Sequence, residues 1–144
     1  MKSFLRLVLG IVAGAAGGSI VNLGLIIVGS EIIPAPSGFD VTDPDSISAA
    51  ADLFGPQHFI FPFVAHAGGT LAGCLIACLV AVRQPRLAAL PVGCLFLLGG
   101  IANAFMIPAP AWFLVLDLGL AYIPMALLAL WIHQRLLTEA RSSQ

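Results

Sequence analysis

Apolar and polar positions alternate along this chain in long blocks rather than at the two-residue period of a strand. Uninterrupted apolar stretches run over residues 4–29, 59–82, 87–107 and 111–132, separated by short polar turns and one long polar segment, 30–58. Each stretch meets the need for roughly 20 apolar residues to cross about 30 Å of hydrocarbon at ~1.5 Å per residue. Inside a bilayer every backbone amide needs a partner from its own segment, so the pattern predicts four transmembrane helices in an all-α, single-domain bundle. The first stretch also begins as a secretory signal does, with Lys2 and Arg6 ahead of apolar residues and an Ala13-x-Ala15 pattern. Its apolar run continues to Val28, beyond a signal's h-region of about 7–15 residues, which favours an uncleaved helix over removal of residues 1–15.

Composition agrees with the blocks. Sixty per cent of the 144 residues are hydrophobic and 9% charged, against about 45–50% and about 25% in soluble domains. A soluble domain of this size has no way to hide that apolar surface, so the lipid bilayer is the expected partner. A net charge of −1 gives no basis for nucleic-acid binding.

Charge adds direction. Lys2 and Arg6 precede the first span, Arg83 and Arg86 fill the second turn, and Arg135 and Arg141 follow the fourth span, so all six basic residues fall on one side. The 30–58 segment carries Glu31, Asp40, Asp43, Asp45 and Asp52 and no base. The positive-inside rule then predicts cytoplasmic termini and a periplasmic or extracellular 30–58 loop in a bacterial inner membrane. Trp112 and Trp131, at opposite ends of the fourth span, suit the two interfaces.

Two segments echo one another. Residues 32–43 (IIPAPSGFDVTD) and 106–117 (MIPAPAWFLVLD) agree at seven of twelve positions, and both follow outward-running spans. Duplication of a helical hairpin and chance similarity of a low-complexity string both fit this echo. In either case Ile-Pro-Ala-Pro stops or bends a helix, because proline donates nothing to the ladder. Asp43-Pro44 predicts the start of a short interfacial helix over 44–54, ended by Gly55-Pro56. Gly10, Gly14 and Gly18 of the first span, and Ala65, Gly69, Gly73 and Ala77 of the second, recur every four residues. These stripes predict close packing of the two helices, with self-association the sharper alternative.

The candidate chemistry lies in the outward half. Asn22, His66, Asn103 and Asp117, one from each span, fall roughly 7–12 Å below the outer helix ends at ~1.5 Å per residue. Thr70 lies one turn below His66, and Tyr122 lies deeper on the fourth span. A carboxylate at that depth needs a partner, and His66 is the natural one, with Asn22 and Asn103 completing the hydrogen bonding. The set reads either as interhelical glue, worth about 0.6–2 kcal/mol per bond, or as a ligand, ion or proton site formed by Asn22, His66, Thr70, Asn103 and Asp117. In an enzyme, His66 and Asp117 would be the acid–base pair.

Other chemistry is thinly represented. His58 and His66 are eight residues apart, and joining them with Glu31 or Asp117 makes only a loose N/O set, so no metal site is assigned. Cys74, Cys78 and Cys94 sit inside apolar runs and read as small core residues, with Cys74 and Cys94 near enough in depth to touch. No phosphate loop, dinucleotide fingerprint or nucleophile–His–acid pattern is present, and no cofactor is implied.

Gly99–Phe113 (GGIANAFMIPAPAWF) and Pro34–Pro44 (PAPSGFDVTDP) resemble a group of small, uncharacterised four-span bacterial inner-membrane proteins. That group shares an Asp-Pro outer loop and an Asn-x-x-x-Ile-Pro-x-Pro-x-Trp-Phe segment, matched by Asn103, Ile107, Pro108, Pro110, Trp112 and Phe113. The resemblance implies the fold and membrane location alone. The expected activity is therefore that of a non-enzymatic binding, permeation or accessory subunit. A lipid-directed membrane enzyme is the alternative, and a second copy or another membrane protein is an open choice of partner.

Overall fold

A computed structural model describes residues 2–36, 45 and 53–142. Among the described residues there are helices and no strands: α1 (Lys2–Ile32), a 3-10 turn (Pro56–Phe59), α2 (Ile60–Val80), α3 (Pro85–Met106), α4 (Ala111–Leu120) and α5 (Ile123–Ser142). Four stretches, counting α4 and α5 as one, are long and apolar enough to cross a membrane. The chain is an all-α four-span bundle and fits a multi-pass integral membrane protein. The expected interfacial helix over 44–54 lies outside the described residues, apart from Asp45 and residues 53 and 54.

Helix α2 is the centre of the bundle, with contacts to α1, α3, α4 and α5. Its small residues explain why. A Cβ on Gly14 would lie 2.5 Å from the Gly73 carbonyl oxygen, and one on Gly18 would lie 2.6 Å from that of Gly69. Backbone thus meets backbone along α1 and α2, which lets dispersion act where no hydrophobic effect drives helices together.

In the half nearer the chain termini, the space among α2, α3 and α5 is closed. Cys74, Ala77, Cys78 and Ala81 of α2 meet Ala88, Ala89 and Val92 of α3 and Ala126, Ala129 and Leu130 of α5 in one buried cluster. Cys74 and Cys78 behave as small core groups, with Cys74 Sγ donating to the Ala89 carbonyl at 3.3 Å, whereas Cys94, expected in the core with them, is exposed and unbridged. Leucine, isoleucine, valine and phenylalanine cover the outside, with Phe105 and Val115 more than three-quarters exposed, as lipid contact requires.

The two Ile-Pro-Ala-Pro segments end their helices at the same place. Helix α1 stops at Ile32 and α3 at Met106, one residue before the isoleucine in each copy. Ile33 and Ile107 then donate to Gly29 and Asn103, both at 2.8 Å. The prolines that follow supply no further N–H, so the ladder ends there.

The fourth span departs from the expected unbroken helix over 111–132. It breaks at Ala121-Tyr122 into α4 and α5. Pro124, the second residue of α5, is the reason: without an N–H it cannot bond the Leu120 carbonyl, and its ring crowds that turn. As an early residue of a new helix it is tolerated, because first-turn amides need no intrahelical acceptor. The break lies inside the bundle, with Ala121 and Tyr122 buried, where irregular backbone is acceptable at membrane depth.

Candidate functional site

Aromatic packing positions the fourth span. Phe59, at the end of the 3-10 turn, meets Phe113 at a centroid distance of 4.8 Å and the edge of Trp112 at 5.6 Å. Phe113 and Asp117 are four residues apart and therefore share a face of α4. Both are buried, at 6% and 4% exposure, so the ring contact holds the carboxylate against α2.

There Asp117 meets His66. The imidazole Nδ1 lies 2.9 Å from Oδ1 and 3.0 Å from Oδ2. Tyr122 adds a second donor, its hydroxyl giving a hydrogen to Oδ2 at 3.0 Å. The helix break supplies this partner, and the Tyr122 ring is also stacked on His66 with centroids 5.8 Å apart. Gly100 of α3 makes room, since a Cβ there would collide with the phenol. Asp117 is thus a buried acceptor with two side-chain donors, the condition under which a carboxylate is tolerated in the membrane. An acceptor on the Nδ1 side selects the Nδ1–H tautomer of a neutral imidazole, leaving Nε2 with a free lone pair.

His66 and Tyr122 form part of the wall of a cavity of about 470 Å³ between α1 and α3. Asn22 and Ser19 line it from α1, and Asn103, Phe96 and Met106 from α3. Asn22 is half-buried and Asn103 exposed. The site is apolar over most of its wall, with a few convergent polar groups, the usual make-up of a small-molecule pocket.

The five candidate residues therefore separate by role. His66, Asn22 and Asn103 line the cavity, and Asp117 stands behind its wall, holding the imidazole. Thr70 is fully buried and donates to the carbonyl of His66 at 2.7 Å, within its own helix. That bond ties Thr70 to the backbone rather than to the cavity. His58, considered with Glu31 for a metal, lies instead at the 3-10 turn, with Nδ1 3.2 Å from the Gly55 carbonyl and its ring against Phe54. Among the described residues, no three His, Cys, Asp or Glu side chains converge.

Two contributors escape a reading by depth alone. Ser19 sits three residues before Asn22, on the same helical face, and its hydroxyl gives little signal among small residues. Tyr122 sits too deep for the polar layer until the break brings it to Asp117, and Pro124 two residues later is the signal for that break. Compared with protein-family models, curated proteins and solved structures, the chain shows no match.

Proposed function

We propose that the protein is a non-enzymatic membrane-embedded binding protein, the receptor or accessory subunit for a small amphipathic molecule held in the α1–α3 cavity. The observation carrying this reading is the His66–Asp117–Tyr122 network on the wall of a largely apolar cavity. With Nδ1 engaged, Nε2 accepts a hydroxyl or amine hydrogen from the ligand, while Asn22 and Asn103 offer both donors and acceptors. Leu95, Phe96 and Met106 take its apolar part. The closed core in the other half favours binding over conduction through a single copy. In the accompanying topology the termini are cytoplasmic, the membrane is a bacterial inner membrane, and the cavity belongs to its outward half.

The test compares solvent extracts of purified wild type, Asn103→Leu and His66→Gln by mass spectrometry. A small amphipathic compound enriched near one equivalent in wild type and at least tenfold depleted in both variants, at equal folded yield, is expected. Identical extracts from all three would overturn the reading.

One observation favours a second reading, a membrane hydrolase. An imidazole held by a carboxylate through Nδ1 with Nε2 free is the arrangement of a general base, and Ser19 lies on the same cavity wall. A lipid-like fluorogenic ester separates the two: turnover lost in both Ser19→Ala and His66→Gln supports the hydrolase, and its absence in wild type supports binding alone.

A further inference from the structure

The opposite end of the bundle holds a second cavity, of about 500 Å³, where the start of α1 meets the α2–α3 turn. Lys2 and Arg6 of α1 and Arg83 of the turn converge on it, with Ser3 and Gln84 beside them. None of its lining residues is acidic, and the first turn of α1 carries no carboxylate. The His66–Asp117 pair lies in the other half of the molecule. Three cations around one hollow repel each other unless an anion lies between them. The free amides of the first turn of α1 add to the positive potential.

The remaining lining residues say which kind of anion. Lys2, Leu5, Arg6 and Leu9 recur at the spacing of one helical face. Along that face charge gives way to leucine over roughly 10 Å, at ~1.5 Å per residue. Leu5, Leu9 and Val82 are each more than half exposed beside the cavity. A site that is cationic at the helix end and open to lipid further in has the polarity of a phospholipid, headgroup first and acyl chain behind. A free phosphate would use the cations and leave the leucines idle. Gln84 Oε1 is buried without a partner, an acceptor suited to a headgroup hydroxyl.

We propose that Lys2, Arg6, Arg83 and Gln84 bind the phosphodiester headgroup of an anionic phospholipid, with its acyl chain lying along Leu5 and Leu9. Basic hollows between helix ends are the usual form of such sites. The site is separate from the α1–α3 cavity and stands or falls without it.

Native mass spectrometry of the full-length protein in a neutral detergent tests it, with phosphatidylglycerol, phosphatidylcholine and inorganic phosphate as probes. One phosphatidylglycerol retained about tenfold more strongly than phosphatidylcholine is expected. Arg6→Gln and Arg83→Gln should each weaken it about fivefold, the share of one base near a membrane surface. Arg86→Gln, in the first turn of α3 and outside the cavity, should leave it unchanged. Equal retention of both lipids, equal weakening by Arg86→Gln, or no retained lipid would overturn the site. Displacement of phosphatidylglycerol by millimolar phosphate would reassign it to a free anion and overturn the lipid proposal. Circular dichroism of each variant, matching wild type, ties any loss to the site rather than to the fold.

Discussion

Asp117 governs its surroundings because a carboxylate buried this deeply leaves its partners little choice. His66 Nδ1 and the Tyr122 hydroxyl both spend their hydrogens on it, and one imidazole tautomer follows. Asp117→Ala should leave two donors without an acceptor and lower stability by about 1–3 kcal/mol for each. Tyr122→Phe removes one bond and keeps the ring, and should cost about 0.6–1.7 kcal/mol, from the average to the largest value for side-chain hydrogen bonds in a helical membrane protein. Reversible denaturation in mixed micelles checks both, and a Tyr122→Phe loss as large as that of Asp117→Ala would contradict this ranking. The pairing of His66 with Asp117 was legible in the sequence from depth alone, because no Lys or Arg shares their level. The hydrogen-bond partner of Thr70 was not legible by the same reasoning. A hydroxyl on an apolar helix has a carbonyl four residues back always within reach, and sequence does not reveal which acceptor it takes.

At the scale of the helices, glycine and proline carry most of the information, and they were legible to different degrees. The four-residue glycine stripe pointed to α1 against α2, and the carbonyl oxygens of Gly69 and Gly73 lie where side chains on Gly18 and Gly14 would stand. Gly24 has nothing within 4 Å of an added Cβ. Gly18→Val should therefore sharply reduce folded yield, whereas Gly24→Ala should leave it unchanged, as size-exclusion profiles of the purified variants would register. Pro124 is the counterexample. An apolar run of sufficient length reads as one helix, and hydropathy does not weigh a single proline inside it. Pro124→Ala should let α4 run into α5 and draw Tyr122 away from Asp117. Hydrogen exchange at the amide of Tyr122 should then slow by at least tenfold as it enters a continuous ladder, while that of Ala121, already bonded to the Asp117 carbonyl at 2.9 Å, should change little. Unchanged exchange at Tyr122 would mean that packing, not proline, sets the break.

The whole molecule is built of two unlike halves. Toward the termini, alanine, cysteine and valine close the space among α2, α3 and α5. Toward the 30–58 segment, Asn22, His66 and Asn103 surround open volume instead. Composition along each span foreshadowed this polarity, but the volume itself was not legible, because it depends on where glycines at 99 and 100 leave α3 thin. The halves have a functional consequence. A proton entering from the cavity can reach His66 Nε2, but beyond it lies a close-packed cluster whose only titratable side chains are the Cys74 and Cys78 thiols. Proteoliposomes holding a pH-sensitive dye under a potassium diffusion potential should thus leak protons no faster with wild type than with Asp117→Ala. A leak that is specific to wild type would require a path between copies of the chain, since the core of one copy supplies none. The same preparation would then need to show cross-linking between Cys94 residues, the one thiol that each copy exposes.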